Sequence, residues 1–150
     1  MIKISNKKIE RTVVLEAGID AVWAKWTTKE GLKSFFGVDN DINLRVGGKY
    51  EIYFSMDAPV GLRGSEGCKI LNYQPKNALY FSWNSPPSMP EIRNSPYYTT
   101  VVLHFREIDE IHTELTMSHQ NWPEDAKWDA CYHYFDQAWD KVLNSLIKNL

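Results

Sequence analysis

The chain has 150 residues with a formal net charge of −2, and aromatic side chains make up 13% of it. A chain of this length fits one domain with a substantial hydrophobic core, and its weakly acidic charge gives no basic surface for phosphates, so nucleic-acid binding is not expected. No window approaches about 18 uninterrupted apolar residues, and the first residues lack the apolar segment of a signal peptide, which predicts a cytoplasmic protein without membrane insertion.

The first elements predicted are a strand and two short helices. Residues 8–16 are rich in good strand formers, and this run ends at Gly18. A helix follows from Asp20, a candidate N-cap, to Thr27. A second helix is predicted over 29–36. Both helices carry large apolar side chains at helical spacing, so each is expected to bury one side.

Six strands are predicted next, because apolar and polar side chains alternate with a period of two. They cover residues 40–46, 50–56, 65–73, 79–83, 97–107 and 112–119. The second of them places Tyr50, Ile52 and Phe54 on one face. Residues 84–96 contain four prolines, and we expect a loop there with neither a helix nor a central strand.

The last predicted element is a long helix over residues 124–149. Pro123 precedes it, and Glu124 and Asp125 lie in the first turn, where the helix dipole favours negative charge. Its apolar stripe comprises Trp128, Tyr132, Phe135, Trp139, Val142, Leu143, Leu146 and Leu150. At about 1.5 Å per residue the helix is roughly 38 Å long. Only the concave face of the predicted strands offers an apolar surface broad enough to cover it.

In this order the elements predict an α+β fold of the helix-grip type. A curved antiparallel sheet of about six to seven strands wraps around the long C-terminal helix, and two short helices follow the first strand. The sequence contains no linker, repeat or low-complexity tract, so residues 1–150 are expected to form a single domain. A sheet that curves around a helix without touching it everywhere leaves an apolar cavity between them.

Short motifs occur along the chain in a fixed order, and the whole set is more specific than any one of them. The motifs are Val22-Trp23, Trp26-Thr27, Gly31-Leu32, Phe35-Phe36, Gly47-Gly48-Lys49-Tyr50, Trp83-Asn84-Ser85-Pro86-Pro87, residues 113–119 and Trp122-Pro123. The set resembles the START-like, or birch-pollen-allergen-like (SRPBCC), superfamily, and within it the homologues of the activator of heat-shock-protein-90 ATPase. The resemblance implies a helix-grip fold over nearly the whole chain. It leaves the function open, since the superfamily contains lipid carriers, hormone receptors, cyclases and co-chaperone domains.

The apolar faces of the predicted elements supply candidate residues for a ligand pocket. These are Trp23, Phe36, Tyr50, Ile52, Phe54, Phe81, Trp83, Leu103, Met117, His119, Trp128, Tyr132 and Phe135. Pockets for small molecules are mostly apolar with a few placed polar groups, and Trp and Tyr combine both properties. The alternative is that the rings only fill the core, which we favour for Trp23, Trp26 and Trp139 because they lie on tightly packing helix faces.

Two polar residues are candidates for contacts with a ligand. His119 shares a strand face with Leu115 and Met117, so it could hydrogen-bond a ligand or transfer a proton within the cavity. Alternatively, it is a core histidine satisfied by a backbone carbonyl or a Tyr. Arg93 is the only Arg in the proline-rich loop. It could hold a ligand carboxylate at the pocket rim or, as we favour, pin the loop to a nearby acid, with Glu91 a possible partner.

The sequence carries no signature of a metal, cofactor or covalent catalytic site. Its four His are dispersed, and Cys68 and Cys131 lie far apart, which is typical of separate buried thiols in a reducing compartment. No nucleophile elbow, dinucleotide-binding motif or P-loop is present. We therefore expect no metal and no cofactor, and we name no catalytic residue.

Three functions remain open at this point. The preferred hypothesis is a non-catalytic binding protein for an unknown small hydrophobic or aromatic ligand. A chaperone-associated or stress-response interaction module is the second, and it depends on the family resemblance alone. A cyclase- or dehydratase-type enzyme, using His119 with a Tyr as acid and base, is the third. A monomer and a homodimer are both compatible with the sequence.

Overall fold

The structure is a computed structural model and describes residues 2–150. Within that range the chain forms seven strands and four helices. In chain order they are β1 (Ile9–Leu15), α1 (Ile19–Thr27), α2 (Lys29–Lys33), β2 (Asp39–Ile42), β3 (Tyr50–Tyr53), β4 (Ile70–Gln74), β5 (Ala78–Trp83), α3 (Pro90–Arg93), β6 (Thr99–Asp109), β7 (His112–Gln120) and α4 (Ala126–Lys148). This is the predicted order with one additional helical turn, α3.

The main sheet is antiparallel and has the strand order β1-β7-β6-β5-β4, while β2 and β3 pair separately. The apolar side of α4 contacts this sheet. The ring of Trp139 lies 6.3 Å from that of Trp83 on β5 and 6.0 Å from that of His119 on β7. A long helix held by a curved antiparallel sheet is the helix-grip arrangement, so the predicted α+β fold is confirmed.

The main sheet has five strands rather than six to seven, because the chain bends between β3 and β4. Gly67 has a φ of +87°, a conformation that only Gly adopts without strain, and it interrupts the strand predicted there. Single bridges join Lys49 to Lys69 and Tyr53 to Gly64. The β2–β3 hairpin thus stays attached beside β4 without extending the regular ladder.

The strand predicted over 50–56 is shorter and ends at Tyr53. Ile52 is fully buried, but Phe54 is 48% exposed. The N–H of Phe54 donates to the carbonyl oxygen of Arg63 at 2.7 Å, which closes a surface loop. The prediction that this strand continues to residue 56 is therefore wrong, because the chain turns away from the sheet after Tyr53.

One helical turn, α3, lies in the proline-rich segment that was predicted to be a loop throughout. Pro90 is its first residue. A backbone N–H at this position has no partner within the helix, so proline, which lacks that N–H, costs no hydrogen bond there. The N–H of Arg93 donates to the carbonyl oxygen of Met89 at 3.0 Å and closes the turn. The expectation of no helix over 84–96 is wrong here, because Pro is unfavourable only in the interior of a helix.

The long helix α4 is fixed at its start and along its length. The carboxylate of Asp125 caps it by accepting a hydrogen bond from the N–H of Lys127 at 2.8 Å. Arg11 of β1 donates to Asp136 at 2.9 Å and to Asp140 at 2.8 Å, which ties the helix to the edge of the sheet. Neither α4 nor any other helix within residues 2–150 is long and apolar enough to cross a membrane.

Candidate ligand-binding site

A cavity of about 330 Å³ lies between α4 and the two loops that follow β3 and β5. It is lined by Phe36, Phe54, Ser55, Leu62, Arg63, Gly64, Trp83, Asn84, Pro86, Pro87, Tyr134, Phe135, Ala138, Trp139 and Val142. Ligand pockets in proteins span roughly 300–1,000 Å³. The cavity is therefore large enough for a small molecule, and most of its lining is apolar.

Buried aromatic rings form the inner wall of the cavity. Phe36, which follows α2, stacks on Trp83 at the end of β5 with ring centroids 5.6 Å apart. The ring of Phe36 also lies 6.0 Å from that of Trp139 on α4. Phe135 lies one turn earlier on α4, and all four rings are buried. Because three separate elements position these rings and hold them against one another, the wall is preorganised for an apolar or aromatic ligand.

Large apolar side chains at the mouth of the cavity are about half exposed. Phe54 is 48%, Leu62 is 44% and Tyr134 is 46% exposed. The ring of Phe54 lies 5.6 Å from that of Phe36, so the mouth continues the aromatic wall outwards. A cluster of exposed apolar side chains around an opening is typical of a site that contacts a ligand or a partner.

Asn84 places a polar group in this apolar lining. Its Nδ2 donates to the carbonyl oxygens of Glu66 at 3.1 Å and Gly64 at 3.3 Å, which fixes the orientation of the side chain. No donor in the described part of the chain bonds to its Oδ1. Asn84 therefore brings a fixed hydrogen-bond acceptor to the cavity.

Arg93 joins the two loops that form the cavity, although it does not line the cavity itself. Its guanidinium donates to the carbonyl oxygens of Ser85 and Gly64, each at 2.7 Å, and pairs with the carboxylate of Glu66 at 3.1 Å. The side chain of Arg93 is only 5% exposed. Glu91, the partner suggested by the sequence, lies in an ion pair elsewhere on the surface.

Glu66 is held as a carboxylate by backbone donors as well as by Arg93. Its oxygens accept hydrogen bonds from the N–H groups of Gly61 at 2.6 Å, Arg63 at 3.0 Å and Gly64 at 2.7 Å. Partial burial alone would raise the pKa of Glu66, but these hydrogen bonds outweigh burial and hold the pKa below its ordinary value. The loop after β3 is thus folded around one carboxylate, which keeps Arg63 at the cavity.

His119 is fully buried, and both of its ring nitrogens have protein partners. The indole N–H of Trp139 donates to Nδ1 at 3.0 Å, so Nδ1 is an acceptor and Nε2 carries the proton. Nε2 lies 2.7 Å from the hydroxyl of Thr99, which in turn donates to the carbonyl oxygen of Trp83. Burial lowers the pKa of His119 to about 3, so the ring is neutral at physiological pH. It contributes no free nitrogen to the cavity.

The candidate pocket residues fall into two groups. Those that line the cavity are Phe36, Phe54, Trp83 and Phe135. Those that do not are Trp23, Tyr50, Ile52, Phe81, Leu103, Met117, His119, Trp128 and Tyr132. Most of the second group belong to the buried hydrophobic core on the sheet. Tyr132 is half-buried, and its hydroxyl donates to the carbonyl oxygen of Lys8 at 3.1 Å.

Several lining residues were not named from the sequence. Tyr134, Ala138 and Val142 recur every fourth position on α4. Val142 belongs to the apolar stripe and the other two lie directly beside it, so this spacing was the available signal. Leu62 and Arg63 belong to an irregular loop, where no periodic pattern marks a residue as facing inwards. Trp139 lines the cavity although the sequence assigned it to the core.

Within the described residues, no group of three or more His, Cys, Asp or Glu could hold a metal ion. Cys68 and Cys131 are both free and buried. Burial raises the pKa of the Cys131 thiol to about 12, which disfavours the reactive thiolate. Neither cysteine lines the cavity.

Comparison with known proteins identifies the family of this chain. Residues 16–150 match the model of a family described as Activator of Hsp90 ATPase homolog 1-like protein. The chain belongs to this family. The resemblance drawn from the ordered motifs is thereby confirmed. No curated protein matches the chain, so its family membership rests on the family model.

Three solved structures indicate how widely the fold of this Hsp90-activator-like family is shared. A protein from Mesorhizobium loti superposes with a TM-score of 0.74 at 16% identity, over 95% of each chain. An HSP90 activator from Plasmodium falciparum gives a TM-score of 0.70 at 20% identity, over 93% of this chain and 92% of that one. The Aha1 dimer from Colwellia psychrerythraea gives 0.66 at 19% identity, over 94% and 93%. At these identities the similarity establishes the fold alone.

Proposed function

We propose that this Hsp90-activator-like chain binds a small hydrophobic or aromatic molecule in the cavity beside α4. The observation that carries the proposal is the ring-walled cavity of about 330 Å³, whose mouth exposes large apolar side chains. Burial of apolar surface stabilises a complex by about 25 cal/mol per Å², and preformed aromatic walls reduce the entropy lost on binding. The acceptor of Asn84 would orient a ligand that carries a hydroxyl or an N–H group.

A binding role without catalysis fits the polar groups around the cavity better than an enzyme does. The cyclase or dehydratase alternative needed His119 as an acid or base in contact with the ligand. Both nitrogens of that ring are occupied by Trp139 and Thr99, and the residue does not line the cavity. Among the described residues of the lining, the titratable side chains are Arg63 and Tyr134, and none is a His, Asp or Glu.

Substitution of Ala138 by Phe is expected to abolish binding of a neutral hydrophobic dye such as Nile red. Ala138 lines the cavity on α4, so a Phe side chain there occupies the volume that the dye would fill. We expect saturable binding to the wild-type chain and an increase in Kd of at least about tenfold in the variant. Fluorescence titration of the dye measures both.

Ala126→Phe provides the matched control, because Ala126 is exposed at the start of α4 and is not part of the lining. This variant should bind the dye like the wild-type chain. If the wild-type chain binds no dye, or if Ala138→Phe and Ala126→Phe bind it equally, the cavity is not a ligand site. Native mass spectrometry of freshly purified protein would then be expected to give only the mass of the polypeptide.

A chaperone-associated role is the second candidate, and the exposed apolar side chains around the mouth favour it. Val60 is 81% exposed next to Leu62, and such a surface could contact another protein. One similar structure is described as an HSP90 activator. The test is the ATPase rate of a purified Hsp90-type chaperone with and without the chain. An unchanged rate, together with no complex in calorimetry, would remove this candidate.

The setting we propose for either role is the cytoplasm. Cys68 and Cys131 are free and buried, and unpaired thiols are typical of proteins kept in a reducing compartment. Fractionation of cells that produce the chain, followed by immunoblotting, would test this proposal. Recovery in the membrane or secreted fraction would contradict it.

A further inference from the structure

Arg63 gives the cavity an electrostatic asymmetry. It is the only charged side chain among the described residues that line the cavity, and the rest of the lining is neutral and largely apolar. The residue is half-buried in the loop after β3. A guanidinium beside an apolar volume attracts an anion more strongly than one in bulk water, because the local dielectric is lower.

The charge of Arg63 is not neutralised within the described part of the protein. Its side chain makes one hydrogen bond, from Nε to the carbonyl oxygen of Ala58 at 2.9 Å, and it forms no ion pair. The carboxylate of Glu66, which accepts from the Arg63 N–H, is already paired with Arg93. The two Nη groups of Arg63 thus keep their donors for a ligand, and a carboxylate matches their planar fork.

The remaining lining decides which kind of anion fits. The stacked rings of Phe36 and Trp83 provide a flat surface for an aromatic body. The Oδ1 of Asn84 is a fixed acceptor, and it would repel a carboxylate placed next to it. The acidic end of a ligand is therefore directed to Arg63, and its ring to the inner wall.

We infer that the ligand of this cavity is an aromatic carboxylate, with its carboxylate paired to Arg63 and its ring on the wall formed by Phe36 and Trp83. The inference rests on the proposed function of the same cavity and names the ligand class. It gives Arg63 the role that the sequence offered as the less favoured alternative for Arg93, whose charge is used inside the protein by Glu66.

Calorimetric titration with naphthylacetic acid and its neutral amide, naphthylacetamide, tests the inference. The two probes share a ring system and differ in charge. At neutral pH we expect the wild-type chain to bind the acid at least about tenfold more tightly than the amide, the size expected of a charge-assisted hydrogen bond. Arg63→Gln should remove this preference by weakening binding of the acid much more than binding of the amide, and Arg63→Lys should restore part of it.

Arg45→Gln is the matched control. Arg45 is exposed, lies outside the lining and forms no ion pair within residues 2–150, so its loss should leave the preference intact. Equal binding of acid and amide, or an equal preference in Arg63→Gln, would overturn the carboxylate inference while hydrophobic binding stands. If neither naphthyl probe nor Nile red binds, the proposed function itself fails.

Discussion

Arg93→Met is expected to destabilise the protein by about 3–5 kcal/mol, because it leaves Glu66 as an unpaired and largely buried carboxylate. In the wild-type chain the side chains of Arg93 and Glu66 are 5% and 16% exposed and pair at 3.1 Å. The substitution also frees the carbonyl oxygens of Ser85 and Gly61, one in each loop. The two loops should then separate, and binding of Nile red should be lost with stability.

Urea unfolding followed by circular dichroism measures the loss of stability in Arg93→Met. Arg106→Met is the matched control, since Arg106 pairs with Glu114 on the surface and its side chain is 63% exposed. An exposed pair contributes less than about 1 kcal/mol. In the double variant Arg93→Met/Glu66→Gln, the loss should be smaller than the sum of the single losses, because no charge stays buried. Equal, small losses at both arginines would show that Arg93 does not hold the loops.

Acidification below pH 6.5 is expected to destabilise the protein through His119. Burial lowers the pKa of this ring from 6.5 to about 3 in the folded chain. Between these two values the unfolded chain binds a proton at His119 and the folded chain does not. The free energy of unfolding therefore falls as the pH falls, by about 1.4 kcal/mol per pH unit. The stabilisation is complete above pH 6.5 and is lost as the pH approaches about 3.

Urea unfolding at several pH values between 6.5 and about 3 measures this dependence. His119→Gln removes the titrating ring. It should reduce the slope of the unfolding free energy against pH by up to about 1.4 kcal/mol per pH unit, which corresponds to one proton. Thr99→Val is the control, because it removes the hydroxyl beside Nε2 but keeps the buried ring. Carboxylates such as Glu66 contribute to the pH dependence of the unfolding free energy in every variant. The contribution of His119 is therefore the difference in slope between the wild-type chain and His119→Gln. Identical slopes in the wild-type chain and His119→Gln would contradict the assignment.

The sequence predicted the regular part of the fold well. Along β6 and β7 the alternating residues Leu103 and Met117 are both fully buried, as a half-buried antiparallel sheet requires. The stripe of α4 was equally informative, because a long amphipathic helix needs one broad apolar partner. Prediction failed where the chain leaves a regular element, as it does after Tyr53, since periodicity extends a pattern without indicating where the strand stops.

The cavity was harder to predict because it lies where elements distant in sequence meet. Phe36, Trp83 and Phe135 were named as pocket residues, and they do come together. Arg63 was not named, because its position depends on how the loop folds around Glu66. The sequence did not decide whether His119 contacts a ligand or is a core residue with protein partners. The structure shows that one of these partners is Trp139, a residue on another element.

Two of the six tryptophans, Trp83 and Trp139, border the cavity, and the other four lie outside its lining. Indole emission depends on the polarity of its surroundings and is quenched by nearby groups. A molecule that enters the cavity would lie beside these two indoles and change the polarity around them, so the emission of the unlabelled protein should shift. The chain thus contains its own optical reporter of occupancy, and collections of non-fluorescent compounds can be screened on it directly.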